Sequence, residues 1–176
     1  MRSSGHSVLL HRSSDPMKKV IVIGSPGAGK SVFSKALADK TGLPLYHLDN
    51  LYWRADRTHI TRDELTQKLC NIMQSDEWII DGNYTGTMEM RMKEADTVFF
   101  LDFPSEICID GIKSRVGKPR DDIPWTEDKI DEEFFQFVKA FGEETRPRIE
   151  RLLSEYHGNI YRFTGRNDAD SFIEGL

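Results

Sequence analysis

Eight consecutive residues constrain the fold of this chain more than any other part of its sequence. The pattern G-x-x-x-x-G-K-S is matched without a mismatch by Gly24-Ser25-Pro26-Gly27-Ala28-Gly29-Lys30-Ser31. The apolar run Val20-Ile21-Val22-Ile23 precedes the motif, so a buried strand leads directly into it. A strand, a glycine-rich turn and a helix aim backbone N–H groups and a helix N-terminus at one position, where they favour an anion. We therefore predict a phosphate-binding loop over residues 24–31.

The motif gives chemical roles to two side chains of this loop. Lys30 is expected to reach the β- and γ-phosphates of a nucleoside triphosphate, and the Ser31 hydroxyl is expected to hold a Mg²⁺ ion that bridges them. The expected cofactors are ATP and Mg²⁺, with GTP left open. The predicted nucleotide-binding residues are Gly24, Ser25, Pro26, Gly27, Ala28, Gly29, Lys30, Ser31 and Val32.

Composition limits the domain organisation and the partners. With 176 residues, 38% hydrophobic and 30% charged, the chain can form one domain with a substantial core. We expect residues 1–16 to be a disordered leader, an upstream start or a vector-derived remnant, and residues 17–176 to be the domain. No stretch of about 18 apolar residues occurs, so no membrane association and a cytoplasmic location are expected. The net charge of −5 argues against direct nucleic-acid binding. A monomer and a homodimer remain open.

Strand-like and helix-like segments alternate along the chain. A helix is predicted from Lys30 to Lys40, and Gly42 follows it as a stop. Further strands are predicted near residues 43–48, 77–81, 97–102 and 158–164, and further helices near 61–75, 105–115 and 168–176. The pattern over residues 126–156 is also helical, and Gly142 and Pro147 are expected to split or bend it. Alternation of this kind predicts a parallel sheet covered by helices. The expected fold is an α/β three-layer P-loop NTPase sandwich with a five-stranded parallel sheet and a short lid at about residues 115–126.

Two aspartates follow predicted strands at the edge where such sheets bind ligands. Asp81 follows the strand that starts at Glu77, and we expect it to act as a catalytic and metal-binding carboxylate, together with Ser31 as the second metal ligand. Asp49 follows the preceding predicted strand. It is expected to contact the molecule that accepts the phosphoryl group. Asp102 also follows an apolar run and is ranked below Asp81.

Four further segments accompany the phosphate loop in a fixed order, and with it they carry a family resemblance. They are Leu48–Trp53, Trp78–Tyr84, Ala95–Asp102 and Thr145–Ile149. From Met17 onward this order resembles the nucleoside monophosphate kinase-like branch of the P-loop kinases, which includes adenylate and shikimate kinases. More closely, it resembles the bacterial family of DNA topology modulation proteins.

The resemblance implies roles for several arginines. Adenylate kinases end their third strand in Asp-Gly-Phe-Pro-Arg, whose arginine binds the acceptor phosphate. Here Asp81-Gly82 matches and Asn83-Tyr84-Thr85 departs, which leaves Arg91 as a candidate replacement. The implied catalytic residues are Lys30, Asp81, Arg115 and Arg120 of the lid region, and Arg146. The implied substrate residues are Asp49, Tyr52 and Arg91.

The function implied by the resemblance is transfer of the γ-phosphoryl group of Mg-ATP to a small acceptor, either a nucleotide or a nucleoside. The chain would then be a small-molecule kinase of the nucleotide kinase type. Two alternatives stay open: a shikimate- or gluconate-like metabolite kinase, and a nucleotide-binding regulator linked to DNA topology with little kinase activity. The short lid favours a metabolite kinase, whereas Asp81-Gly82 favours a nucleotide kinase.

Overall fold

The computed structural model describes the backbone of residues 8–9 and the full residues 16–130 and 132–176. The strands are β1 (Val8–Leu9), β2 (Lys19–Gly24), β3 (Leu45–His47), β4 (Trp78–Asp81), β5 (Thr97–Leu101) and β6 (Asn159–Phe163). The helices are α1 (Lys30–Thr41), α2 (Leu48–Tyr52), α3 (Arg62–Met73), α4 (Thr85–Glu94), α5 (Ser105–Arg115), α6 (Glu132–Glu144), α7 (Arg146–Ser154) and α8 (Arg166–Glu174).

The strands form one sheet in the order β1-β6-β5-β2-β4-β3. Strands β2 to β6 are parallel to one another, which confirms the predicted five-stranded parallel sheet. Strand β1 adds a short antiparallel edge, with Val8 opposite Arg162. It lies within the predicted leader, whose residues 1–7 and 10–15 are outside the described residues.

Helices cover both faces of the sheet because its central strands are apolar on both sides. In β2 the four residues from Val20 to Ile23 have no exposed surface. Ile21 and Ile23 pack with residues of α3, α4 and α7, whereas Val20 and Val22 pack with residues of α1, α5 and α8. Burial of each such side chain contributes about 1.5–3 kcal/mol to folding. The predicted three-layer arrangement is confirmed.

The predictions of α1, α3, α5 and α8 are confirmed to within two residues at most ends. Helix α3 begins with the capping box of Thr61 and Glu64. The helical pattern over residues 126–156 was expected to be split or bent at Gly142 and Pro147, and it is split: α6 ends at Glu144 and α7 starts at Arg146, with Pro147 in the first turn, where its missing N–H is tolerated. Helices α2 and α4 were not predicted. Asp49 therefore lies in the first turn of α2 instead of at a strand end.

The parallel strands place their carboxyl ends at one edge of the sheet. Strand β2 runs into residues 24–31, β3 runs into α2, and β4 ends at Asp81. The sequence-predicted site residues near these ends are thus brought to one side of the molecule. Within the part of the chain that the structure describes, no helix has the length and apolar character needed to cross a membrane.

Candidate active site

Residues 24–31 form the turn between β2 and α1. Gly27 has φ 83° and Gly29 has φ 90°, a region that disfavours other residues. A Cβ atom on Gly27 would lie 2.0 Å from the Cys108 carbonyl oxygen, so the loop is also packed tightly against α5. Glycine is required here by conformation and by space.

The Lys30 amine lies inside this turn. Its Nζ donates to the carbonyl oxygens of Gly24 and Ser25, at 3.0 and 3.1 Å. Burial lowers the pKa of Lys30, and the carboxylates of Asp81 and Asp49 oppose that shift. A cation held at a glycine-rich turn is suited to bind a polyanion such as a triphosphate.

The side chain of Asn83 ties the β4–α4 turn to the start of the phosphate loop. Its amide accepts from the Gly24 N–H (3.1 Å) and donates to the Gly24 carbonyl (2.8 Å). A primary amide carries a donor and an acceptor side by side, so it can pair with both backbone groups of one residue. Sequence reasoning noted Asn83 only as a departure from a family pattern and missed this contact.

Arg91 lies buried behind the β4–α4 turn and is not among the cavity-lining residues. It has no exposed surface, and it donates to the carbonyl oxygens of Gly82 (3.1 Å) and Asn83 and to the Thr87 hydroxyl (3.3 Å). The structure therefore corrects the prediction that Arg91 contacts the acceptor. Burial lowers the pKa of Arg91, which the nearby Asp81 opposes.

Two hydrogen-bonded pairs lie beside Lys30. Asp81, which is 4% exposed, accepts from His47 Nδ1 at 2.8 Å, and Asp49 accepts from the Tyr84 hydroxyl at 2.7 Å. Burial alone would lower the pKa of His47, but the hydrogen bond and charge of Asp81 outweigh it and raise that pKa. Burial raises the pKa of Asp49, although the Tyr84 hydrogen bond acts the other way.

Aromatic side chains surround Tyr84. Its backbone is left-handed, with φ 35°, which is a strained conformation for a tyrosine. Its ring contacts Tyr52, whose ring contacts Trp53, at centroid distances of 5.3 and 5.1 Å. Tyr52 itself is not among the cavity-lining residues, so it supports Trp53 and Tyr84 from behind.

The segment between α5 and α6, residues 116–130, crosses the open side of the site and is called the lid. Glu127 joins the two predicted lid arginines, because its Oε2 lies 2.9 Å from Arg115 Nε and 2.8 Å from Arg120 Nη1. Arg120 also donates to both carboxylate oxygens of Asp122, at 2.9 and 2.5 Å. Arg115 and Arg120 are thus brought together, and each is paired with a lid carboxylate.

The lid is bound to both walls of the site. Ser31 donates to Asp122 at 2.6 Å, and Lys35 of α1 pairs with Asp121 at 2.5 Å. On the other wall, Trp125 contacts the Trp53 ring edge to face at 5.7 Å. Asp122 and Trp125 are functional candidates that sequence reasoning missed, because nothing local to the lid shows what it packs against.

Arg146 lies apart from these residues. Its guanidinium pairs with Asp102 at 2.8 Å, and Asp102 also pairs with Arg162. Neither arginine is among the cavity-lining residues. The structure therefore corrects the prediction that Arg146 acts with Arg115 and Arg120, and it assigns Asp102 to a separate ion-pair group.

Arg166 at the start of α8 is a further residue that the sequence did not single out. It donates to the carbonyl oxygens of Gly27 and Ala28, at 3.0 and 3.3 Å, and it lines the cavity. Its position directly after β6, at the ligand edge of the sheet, was the signal that could have identified it.

The cavity at this edge has a volume of about 2020 Å³. Typical small-molecule sites are about 300–1,000 Å³, so the cavity has room for two ligands. The phosphate loop, the start of α1 and Arg166 form one side. The other side is formed by His47, Asp49, Trp53, Asp81, Asn83 and Tyr84, and the lid spans both.

The oxygen donors beside the loop fit a magnesium ion. The Ser31 hydroxyl and the Asp81 carboxylate both line the cavity. No group of three or more His, Cys, Asp or Glu among the described residues has metal-site geometry. Mg²⁺ commonly takes only one or two protein oxygens and completes its shell with phosphate and water, so a sparse donor set of this kind suits it.

Comparison with known proteins gives two kinds of likeness. No protein-family model matches the chain. The adenylate kinases of Thermotoga neapolitana and Thermotoga petrophila are each 31% identical to it over 88 residues, which is 49% of this chain and 39% of each enzyme. The chain therefore aligns with less than half the length of these curated relatives.

Solved structures match nearly the whole chain. Shikimate kinase from Bacteroides thetaiotaomicron has a TM-score of 0.59 at 18% identity, covering 92% of this chain and 96% of that one. Shikimate kinase from Acinetobacter baumannii, in complex with shikimate, has a TM-score of 0.59 at 14% identity, covering 90% of each chain. Deoxyadenosine kinase from M. mycoides has a TM-score of 0.50 at 14% identity, covering 88% and 94%. This chain has the α/β fold of the P-loop kinases.

Proposed function

We propose that the protein is a small-molecule kinase, which transfers the γ-phosphoryl group of Mg-ATP to a nucleotide or nucleoside acceptor. One observation carries this proposal: Lys30, Ser31, Arg115 and Arg120 line a single cavity beside a glycine-rich turn. Phosphoryl transfer needs positioning and positive charge around the moving group more than it needs covalent chemistry. Lysine and arginine side chains that line one cavity supply both.

The phosphate loop would hold the donor. Its backbone N–H groups and the N-terminus of α1 would bind the β-phosphate, and the Lys30 amine would lie between the β- and γ-phosphates. Bound Mg²⁺ would neutralise charge on these phosphates, and Ser31 and Asp81 would hold it. Because Ser31 and Arg120 are both bound to Asp122, donor binding requires the lid to release these contacts.

The acceptor would bind on the opposite side of the cavity, between α2, the β4–α4 turn and the lid. Trp125 and Trp53 close this side, which would exclude water from the transferring group. Exclusion of water matters because hydrolysis of ATP competes with transfer to the acceptor.

The experiment is acceptor-dependent release of ADP from Mg-ATP, measured with a panel of nucleoside monophosphates, nucleosides and sugar acids. Turnover that depends on one acceptor class and falls about 100-fold or more in Lys30→Ala supports the proposal. Equal rates for the wild type and Lys30→Ala, with no binding of Mg-ATP by calorimetry, would contradict it.

A further inference from the structure

The acceptor side of the cavity is acidic. Asp49 and Asp81 both line it, and the lid adds Asp122. The single histidine there, His47, is already paired with Asp81. Asp81 is assigned to Mg²⁺ and Asp122 is paired with Arg120, so Asp49 is the carboxylate that an anionic acceptor would meet. Like charges about 4 Å apart repel by about 1–4 kcal/mol, depending on how well water screens them.

The cations near this side are committed to other groups. The buried guanidinium of Arg91 donates to two backbone carbonyls and a hydroxyl. Arg57 lines the cavity, but it is exposed and lies over the Trp125 ring at 5.8 Å. Recognition of a phosphate or carboxylate commonly uses a guanidinium that forms two parallel hydrogen bonds. Among the described residues, the acceptor side has no buried guanidinium free for that task.

Asp49 is placed to accept a proton from a hydroxyl group. Its Oδ1 accepts from Tyr84, and no hydrogen bond to its Oδ2 is found among the described residues. The Asp49 carboxylate also lies within electrostatic range of Lys30, which is expected to hold the γ-phosphate. A carboxylate between a hydroxyl nucleophile and the phosphoryl group can act as a general base. A phosphate acceptor, which is already ionised, needs no such base.

Aromatic rings provide the remaining surface of the acceptor side. Trp53, Tyr84 and Trp125 line the cavity. The Trp125 ring comes from the lid, so its contact with an acceptor would depend on closure. Stacking of a base on an aromatic side chain contributes about 1–3 kcal/mol to binding.

From these contacts and charges, and resting on the proposed function, we infer that the acceptor is an uncharged alcohol with a planar ring, of the nucleoside class. Trp53, Tyr84 and Trp125 would bind the ring, and Asp49 would take the proton of the reacting hydroxyl. This choice disfavours nucleoside monophosphates and sugar acids, because both carry an anion that this side of the cavity does not balance.

Transfer of the phosphoryl group forms one bond to phosphorus and breaks another. The acceptor hydroxyl oxygen forms a bond to the γ-phosphorus of ATP, and the bond from that phosphorus to the β–γ bridging oxygen breaks. The bridging oxygen keeps the electron pair and leaves as part of ADP, and the hydroxyl proton passes to an Asp49 carboxylate oxygen. Mg-ATP is the only co-reactant.

The test compares matched acceptors in the ADP-release assay: adenosine, guanosine, cytidine and thymidine, each against its own 5′-monophosphate, with gluconate as the sugar acid. We expect kcat/KM for at least one nucleoside to exceed that of its monophosphate by about 100-fold, the scale at which sites reject ligands with unbalanced polar groups. A monophosphate or gluconate that is equal or better would overturn the inference.

Two variants separate the roles of the residues. Asp49→Asn should lower kcat about 100-fold or more while the Kd for Mg-ATP changes less than about threefold, because a base acts on the transfer step. Arg57→Ala is the matched charge control on the same side, and the KM for the nucleoside should change less than about threefold. A tenfold rise in KM for a nucleoside monophosphate in Arg57→Ala, with an unchanged KM for its nucleoside, would show that the protein binds an anionic acceptor.

Calorimetry with Mg-ATP distinguishes this inference from the proposed function. If Mg-ATP binds in the wild type and not in Lys30→Ala, but no nucleoside is phosphorylated, the acceptor class is wrong and the donor site stands. If Mg-ATP does not bind to the wild type, the proposed kinase function and the inferred acceptor class are both wrong.

Discussion

The Ser31 hydroxyl donates a hydrogen bond of 2.6 Å to the Asp122 carboxylate, so the lid is bound to the residue that the sequence motif assigns to magnesium. The same carboxylate pairs with Arg120, a predicted partner of the γ-phosphate. Asp122 thus binds Ser31 and Arg120, two residues that the proposed function assigns to Mg²⁺ and the nucleotide. Hydrogen bonds to charged groups contribute about 1.5–3 kcal/mol, and nucleotide binding would have to replace them.

Asp122→Asn is therefore expected to bind Mg-ATP more tightly. The amide keeps the shape but loses the negative charge that repels the triphosphate and holds Arg120. We expect Kd to fall about fivefold, the equivalent of about 1 kcal/mol. Isothermal titration calorimetry measures it, with the exposed lid residue Asp128→Asn as the control. Weaker binding in Asp122→Asn would instead show that the carboxylate helps to hold the bound nucleotide.

Lys30→Ala should remove turnover without unfolding the protein. The amine is the cation within the phosphate loop, and loss of one such donor costs about 100- to 1,000-fold in kcat. Circular dichroism should show an unchanged fold, because β2 and α1 keep their packing. Lys40→Ala, near the end of the same helix, is the control and should keep its activity. A fully active Lys30→Ala would remove this residue from the phosphate site.

Asp49→Asn should be more stable than the wild type at neutral pH, although it loses activity. Burial raises the pKa of Asp49, so the folded state favours its protonated form. Its ionisation therefore lowers the free energy of unfolding as pH rises above the ordinary aspartate pKa. Urea denaturation between about pH 4 and pH 7 should show the difference between the two proteins growing with pH. A constant difference would contradict the pKa shift.

His47→Gln should lose stability mainly at low and neutral pH. The raised pKa of His47 means that its charged pair with Asp81 contributes fully below about pH 6.5, the unfolded value. That contribution is lost as pH rises through the folded pKa. The difference in Tm between wild type and variant should therefore shrink in alkaline buffer. If the difference is the same at high pH, His47 acts through packing alone.

Arg91→Met should destabilise the protein by about 1–3 kcal/mol, because it leaves the Gly82 and Asn83 carbonyls without their donors. The exposed Arg148→Met should change stability by less than about 0.5 kcal/mol. Urea denaturation measures both variants. If Arg91→Met keeps its stability and only the KM for the acceptor rises, Arg91 contacts the acceptor, as the sequence analysis predicted.

The sequence by itself determined the five strands of the parallel sheet and the glycine-rich turn of the phosphate loop, whereas the order of the strands came from the structure. These features are local: alternating apolar runs predict buried strands, and Gly27 and Gly29 supply the backbone angles that the loop needs. The carboxyl ends of parallel strands share an edge, so Asp81 was predictable as a site residue from its position alone. Helices α2 and α4 were missed because they are short or weakly amphipathic, and tertiary packing fixes them.

Only the tertiary structure decided which arginines face the cavity. Arg91 and Arg120 look alike in the sequence, yet one is buried beneath the β4–α4 turn and the other pairs with Asp122 beside Ser31. The contact between Ser31 and Asp122 joins residues 91 positions apart, which no local pattern encodes. A guanidinium takes whichever oxygen partners the folded chain brings to it, and those partners come from distant segments.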